Sequence, residues 1–309
     1  MNLFNTWGEI AAKINVFFCR TMKVNVKHFI AYEKKVYVYS ILVGFFLVFV
    51  VFSFADLLST PLLRISFYNV GQGDSIFIQT PEHVQVLIDG GVNATVLEKL
   101  AKDMPLYDRS IDLVIATHPN ADHISGLVDV LERYRVNSLF LPRIQNNTLA
   151  YQKLLRAALK NHVAVKETWG VENISLDKGI NFKILNPLRG EQYKNDNDFG
   201  IVGFLTYGKF QALFTADISQ EKEEKIMKFL PRNITVLKVA HHGSRYSSSF
   251  NFLNYIHPQI SIIQVGKNNY GHPAKETLDK LKSIGSSMLR TDRDGDIEIF
   301  SDGNTYWIE

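Results

Sequence analysis

Three apolar runs in this chain each end in metal-ligand chemistry, and that pattern limits the fold more than any other feature. Ile111–Thr117 has the length and character of a buried strand and leads into Thr117-His118-Pro119-Asn120-Ala121-Asp122-His123. Two histidines and a carboxylate this close in sequence can converge on one point. Imidazole nitrogen and carboxylate oxygen are donors that suit zinc, with manganese also served. Leu213-Phe214-Thr215-Ala216 ends in Asp217, where an unpaired charge behind a buried strand would be costly. The plainer reading of Asp217 is an N-cap for a helix beginning near Ser219. Leu237-Lys238-Val239-Ala240 runs into His241-His242-Gly243-Ser244, where Gly243 allows a tight turn and Ser244 can donate a hydrogen bond. Each motif follows a strand, and α/β folds build their sites on loops at the carboxyl ends of strands. A fourth motif, Tyr270-Gly271-His272-Pro273, offers His272 to a metal, a phosphate or a leaving group, unless it is a hydrogen-bonded structural histidine. His28, His83, His162 and His257 have no such neighbours and carry no assignment.

Strands are expected at Leu63–Val70, Ser75–Gln79, Val84–Ile88 and Ile111–Thr117, with helices at Val96–Lys102, Ile124–Tyr134 and Leu149–Lys160. A second series has strands near Phe182–Leu185, Ile201–Tyr207, Ala212–Thr215 and Val236–Val239, and a helix at Gln220–Phe229. Strands near Gln259–Val265 and Ile297–Phe300 flank a helix at Lys275–Ser283. Two batches of strands, each followed by helices, predict two sheets packed face to face with helices outside.

The other strong feature is Val36–Ala55, twenty residues without a charge. At a rise of about 1.5 Å per residue this covers about 30 Å, the thickness of a bilayer's hydrocarbon core. A signal peptide would have a shorter apolar core nearer the N-terminus. The basic residues Lys13, Arg20, Lys23, Lys27, Lys34 and Lys35 precede the run, and Asp56 follows it. The positive-inside rule then puts residues 1–35 in the cytoplasm as a basic tail, residues 36–58 across the membrane, and residues 59–309 outside it. Trp7, Ile10, Ile14, Phe17 and Phe18 recur near helical spacing, which fits a helix lying on the inner leaflet or an ordinary short one. Beyond residue 35 the chain holds 28 basic and 29 acidic residues, so composition gives no support for tight polyanion binding. The single cysteine, Cys19, excludes both an internal disulfide and a thiolate metal site in the domain.

Taken in order, Tyr68-Asn69-Val70-Gly71-Gln72-Gly73-Asp74-Ser75, Ile88-Asp89-Gly90-Gly91, Thr117 to Gly126, Ala216-Asp217, His241 to Ser244, Gly271-His272-Pro273 and Arg290-Thr291-Asp292 resemble the metallo-β-lactamase fold superfamily. Within it they are most similar to the C-terminal domain of ComEC-like competence proteins. The resemblance implies an α/β fold, an αββα sandwich, preceded here by the one N-terminal transmembrane helix. It implies a divalent metal centre of one or two ions, zinc or manganese, with magnesium also admissible. His118 would belong to the first metal position. Asp122, His123 and one of His241 and His242 would form the second, and Asp217 would bridge them. Asp89 would orient a ligating histidine, and Asp74 would lie at the rim of the cleft. This sequence departs from the superfamily at Asn120, which stands where a second histidine is usual, and at Asp196-Asn197-Asp198, where a later histidine is usual. Asn120 and Asp198 are therefore the weaker candidate ligands, and the first position is thin.

The activity implied is phosphodiester hydrolysis, with Asp122 or Asp217 accepting a proton from water and His272 and Ser244 offsetting phosphoryl charge. The substrate implied is DNA outside the membrane. Phosphorylcholine-type or wall-polymer esters are the alternative, and a non-catalytic binding module with a degenerate site is the alternative of another class. No protein partner follows from the sequence.

Overall fold

The computed structural model describes the backbone of residues 26–58 and 62–309, with side chains over residues 34–50 and 62–309, residue 192 excepted. The chain divides into two units, Met1–Thr60 and Pro61–Glu309.

Among the described residues of the first unit there is one helix, α1, which runs Val26–Leu58. From Val36 to Val50 its large apolar side chains are exposed. Among the described residues no helix is long and apolar enough to cross a membrane. The side chains described in α1 form a stretch shorter than the about 20 residues a bilayer takes. The side chains of residues 51–55 of the expected span, and the expected surface helix through Trp7 and Phe18, lie outside what is described.

The second unit is built on two sheets. The first contains β1 (Leu63–Phe67), β2 (Ile76–Gln79), β3 (Gln85–Ile88), β4 (Ser110–Ile115), β5 (Arg135–Pro142), β6 (Ala164–Thr168), β14 (Ile297–Ser301) and β15 (Tyr306–Ile308). Their order across the sheet is β15-β14-β1-β2-β3-β4-β5-β6. The second contains β7 (Glu172–Asp177), β8 (Ile180–Asn186), β9 (Val202–Tyr207), β10 (Phe210–Phe214), β11 (Val236–Lys238), β12 (Ile260–Ile263) and β13 (Ser287–Arg290), ordered β13-β12-β11-β10-β9-β8-β7.

Period-2 alternation decides which side chains lie between the sheets. Leu63, Ile65 and Phe67 face inward from β1 and join Ile76, Ile78, Val86, Ile88 and Ile115. Phe182, Ile184, Leu205, Phe214, Val236 and Ile262 meet them from the second sheet. The outer face of the first sheet packs on helices at Thr95–Asp103, Ala121–Arg133 and Leu149–Lys160. The outer face of the second packs on helices at Gln220–Ile226, Phe250–Ile256 and Lys275–Ser283. The layers are therefore helix, sheet, sheet, helix.

Two features differ from the sequence expectation. The last strands, β14 and β15, return to the first sheet, where β14 pairs antiparallel with β1, so the two sheets are not two successive batches. The helix expected from Ile124 begins at Ala121. Asp122 and His123 therefore stand on its first turn, not on a loop. Its apolar face (Ile124, Leu127, Val130, Leu131) is buried.

Gly126 lets this helix lie against the turn after β3. A Cβ there would sit 2.0 Å from the Gly90 carbonyl oxygen and 2.5 Å from that of Asn93. Gly126 N–H donates to Gly91 O, and Gly90 N–H donates to His123 O. Gly126→Ala is expected to cost about 1–3 kcal/mol of stability, as overpacking against backbone does, and urea denaturation measures it.

Candidate metal centre

β1, β3, β4 and β5 of the first sheet run parallel, and so do β10, β11 and β12 of the second. The carboxyl ends of β3 and β4 carry Asp89 and the His118–His123 segment. The carboxyl ends of β10 and β11 carry Asp217 and the His241–His242 pair. All of these meet at one edge of the sandwich.

Asp89 is buried at the end of β3 and organises the first sheet's half of the site. Its Oδ1 accepts the Thr117 N–H at 2.8 Å, and its Oδ2 accepts the Thr117 hydroxyl at 2.6 Å. The same Oδ2 lies 2.8 Å from His123 Nδ1. An ionised carboxylate only accepts, so His123 carries a proton on Nδ1 and turns Nε2 towards the cleft. His242 is fixed in the same way: its Nδ1 donates to the Gln264 carbonyl at 2.9 Å. Its Nε2 lies 3.4 Å from Asp122 Oδ2 and 3.5 Å from Asp217 Oδ2.

Asp217 Oδ2 sits at the centre. It is 3.3 Å from His123 Nε2, 3.9 Å from His118 Nε2 and 3.8 Å from His241 Nε2. The ligand atoms of His118, His123 and Asp217 lie within 4.8 Å of one another, as do those of Asp122, His123 and His242. Asp122 stands at the mouth, its side chain 34% exposed.

Four buried atoms facing this point have no hydrogen-bond partner: Nε2 of His118, His123 and His242, and Oδ1 of Asp217. Each such group costs about 1–3 kcal/mol when nothing binds it. A divalent cation held by either group, His118, His123 and Asp217 or Asp122, His123 and His242, would satisfy the imidazole nitrogens and carboxylate oxygens that meet there, so the donor sets fit such an ion. The electrostatics agree. Burial pushes the His242 imidazole down, but Asp217 and Asp74 outweigh it and raise it to about 9. Burial likewise acts against protonated His123, and Asp217 and Asp89 outweigh it and raise it. His118 falls to about 3 through burial and the neighbouring His123. The carboxylates thus impose a demand for positive charge, which protons meet when no metal does.

The remaining sequence candidates fall into place around this core. Asp74 was expected at the rim, but it is buried behind His242 and pairs with Lys238. The sequence reading missed Lys238, whose only signal was a charge inside a strand. Asp198 turns its oxygens to the Ser219 N–H and the Asn195 amide, so it braces the loop after Asp217. Asn120 donates to Asn197 Oδ1 at 2.7 Å, and Asn197 Nδ2 lies 3.5 Å from His241 Nε2. Ser244 is buried, and its hydroxyl accepts the Tyr246 N–H. His272 stacks edge-on to His241 with ring centroids 5.3 Å apart. Burial, then His241 and His242, lowers its imidazole to about 4, so it is neutral at neutral pH.

Because Asp89 sets the orientation of His123, Asp89→Asn is expected to weaken metal affinity about 10–100-fold. Competition against a chromophoric chelator measures this, with circular dichroism as the check on folding.

The fold and this constellation place the chain in a class of metal-binding hydrolases, and the sequence comparison agrees. Residues 68–267 match the metallo-beta-lactamase superfamily, and the chain belongs to it. Among curated proteins it is similar to ComE operon protein 3 of Bacillus subtilis, 28% identical over 76% of this chain and 32% of that protein. It is also similar to Recombination protein 2 of Haemophilus influenzae, 26% identical over 78% of this chain and 29% of that one. Competence protein ComA of Neisseria gonorrhoeae is 25% identical, over 76% of this chain and 32% of that one. The chain spans about a third of the length of these relatives. Among solved structures, CmlA, a diiron β-hydroxylase from Streptomyces venezuelae, has the same fold, with a TM-score of 0.54 and 15% identity over 79% of this chain and 54% of that one.

Proposed function

We propose that this chain is a membrane-anchored metal-dependent phosphodiesterase that cuts DNA on the outer side of the membrane. The observation that carries the reading is the convergence of three partnerless imidazole nitrogens on the Asp217 carboxylate. Likeness to proteins named for competence and recombination favours DNA as substrate.

His118, Asp122, His123, Asp217 and His242 would hold the metal, with His241 and Asn120 bordering the thinner first position. Bound there, a divalent ion supplies Lewis acidity and makes water a stronger acid. The chain's own groups do the rest. Asp122 is held as carboxylate, down to about 2, because burial is outweighed by the His242 hydrogen bond and by His123. At the mouth of the cleft its Oδ2 can accept a proton from attacking water. Neutral His272 can donate an N–H to a phosphoryl or leaving oxygen without the cost of an extra charge. The uncharged run Val36–Ala55, together with exposed apolar side chains from Val36 to Val50, supports a membrane span, and the basic tail supports a cytoplasmic N-terminus.

The test is the purified full chain with Mn²⁺ or Zn²⁺ on bis-p-nitrophenyl phosphate, then on single- and double-stranded DNA and phosphorylcholine esters. Turnover of DNA is expected. No turnover and no retained metal would mean a binding module, and hydrolysis confined to phosphorylcholine esters would replace DNA as the substrate. Asn120→Asp is expected to leave turnover intact or raise it, since a carboxylate is a better ligand than an amide. Protease added to intact cells should digest the domain; a protected domain would reverse the topology.

A further inference from the structure

The active edge of the sandwich has an opposite end, where β1, β3, β4 and β5 begin, and one loop there is unlike its neighbours. Pro105-Leu106-Tyr107-Asp108 closes a tight turn through the Asp108 N–H to Pro105 O hydrogen bond. At its tip Leu106 is 85% exposed and Tyr107 is 90% exposed. In a water-soluble turn those positions are ordinarily polar. The loop's base is nonetheless firm. Asp108 accepts from Ser110 and from the Gln85 amide, and Asp103 accepts from Arg64 at 2.6 Å and from the Tyr68 hydroxyl at 2.8 Å. Both acids of the loop are thus turned inward to protein partners. Lys102 and Arg109, which bracket it, are exposed.

We infer that Leu106 and Tyr107 dip into the outer leaflet of the membrane and hold the domain upright, with its metal edge facing away from the lipid. The inference rests on the proposed membrane span. Leu62 leads directly into β1, and Arg64 in β1 is the residue bonded to Asp103 at the base of the loop. The end of the sandwich at which the chain enters the domain is therefore the end that carries the apolar tip. An aliphatic and a tyrosine between two cations is the composition that membrane interfaces select. Such a contact would point the cleft outward, towards a polymer arriving from outside, and not towards lipid headgroups.

The test uses the full chain in a Cys19→Ser background, reconstituted in vesicles of phosphatidylcholine and phosphatidylglycerol. Single cysteines at Phe45→Cys, Tyr107→Cys and Val92→Cys each carry an environment-sensitive fluorophore. Val92 is exposed on the loop after β3, at the metal edge. The expected result is a blue shift and loss of emission to spin-labelled lipid at positions 45 and 107, with the label at 92 in water and unquenched. A shielded label at 45 beside a water-exposed label at 107 would overturn this inference and leave the span intact. A water-exposed label at 45 would overturn the span and the inference with it. A label at 92 quenched in place of 107 would show the domain inverted and refute the proposed orientation.

Discussion

Asp217→Asn is expected to lower phosphodiester turnover by on the order of 10³-fold or more and to strip the protein of tightly held metal. The size follows from what is lost, since metal polarisation contributes several kcal/mol of transition-state stabilisation and each 1.36 kcal/mol is tenfold in rate. The substitution preserves shape but removes the one charge that faces all four cleft histidines. Asp217 Oδ2 lies between 3.3 and 3.9 Å from the Nε2 atoms of His118, His123, His241 and His242. Its own carboxyl is held well below the usual range, because His242 and His123 outweigh the effect of burial. An amide offers one neutral oxygen in place of that charge. His123→Ala should be equally inactive, because it removes the imidazole shared by both ligand groups. Steady-state kinetics with metal analysis of the purified variants checks both, and substantial turnover by metal-free Asp217→Asn would exclude the proposed centre.

Lys238→Met is expected to be the most destabilising single change close to the site. Lys238 and Asp74 are buried, and they form an ion pair between the two sheets behind His242. Lys238 also donates to the Ala216 carbonyl at 3.3 Å, on the turn that presents Asp217. Burial raises the Asp74 carboxyl, and Lys238, then His242 and His123, bring it below its ordinary value. Removing the lysine leaves that carboxylate buried beside another, Asp217. Breaking a buried pair from one side costs about 3–5 kcal/mol, whereas replacing both partners by apolar residues is often neutral. At about 2–4 °C per kcal/mol for a domain of this size, Tm should fall by roughly 6–20 °C. Lys238→Met with Asp74→Leu should recover much of the loss in stability and none of any loss in metal affinity. Differential scanning calorimetry of the two variants decides it; an unchanged Tm in the single variant would remove the pair from any structural role.

The parts of this fold that were legible in the sequence are those where burial writes a pattern. β1 to β4 and β8 to β12 carry unbroken or alternating apolar runs, and each was expected close to its observed position. β6 and β7 were not, because they stand at sheet edges and expose Ala164, Val165, Lys166 and Glu167 to water, which leaves little apolar signal. β15 at the far edge is likewise exposed along its length. β5 was missed for another reason: its first half, Arg135-Val136-Asn137-Ser138, has one buried apolar residue among polar ones, and the continuous buried apolar run is confined to Leu139–Leu141. The helix at Phe250–Ile256 spans only seven residues and hides behind a serine run. For the site, ligand-type residues at strand ends were visible, and the resemblance gave Asp89 the role of orienting a ligating histidine, but not which one. Nothing local in the sequence says that Asp89 turns to His123, that Gln264 offers its carbonyl to His242, or that Asp198 braces the Asp217 turn. Those assignments need the topology that brings strands from two sheets to one edge.

The backbone at His241 and His242 adds a second condition to that pair. Both residues adopt left-handed conformations, with φ of 51° and 53°, and Gly243 follows at 81°. Consecutive left-handed residues are costly for most side chains and forbidding for β-branched ones, while Asn and Asp tolerate them along with histidine. The identity of these two positions is therefore fixed twice, once by what the imidazoles can bind and once by how the chain must bend. A valine here would be rejected before any metal arrived. An asparagine would keep the bend and lose the ligand, and so the corner of the second sheet would hold its shape while going chemically silent.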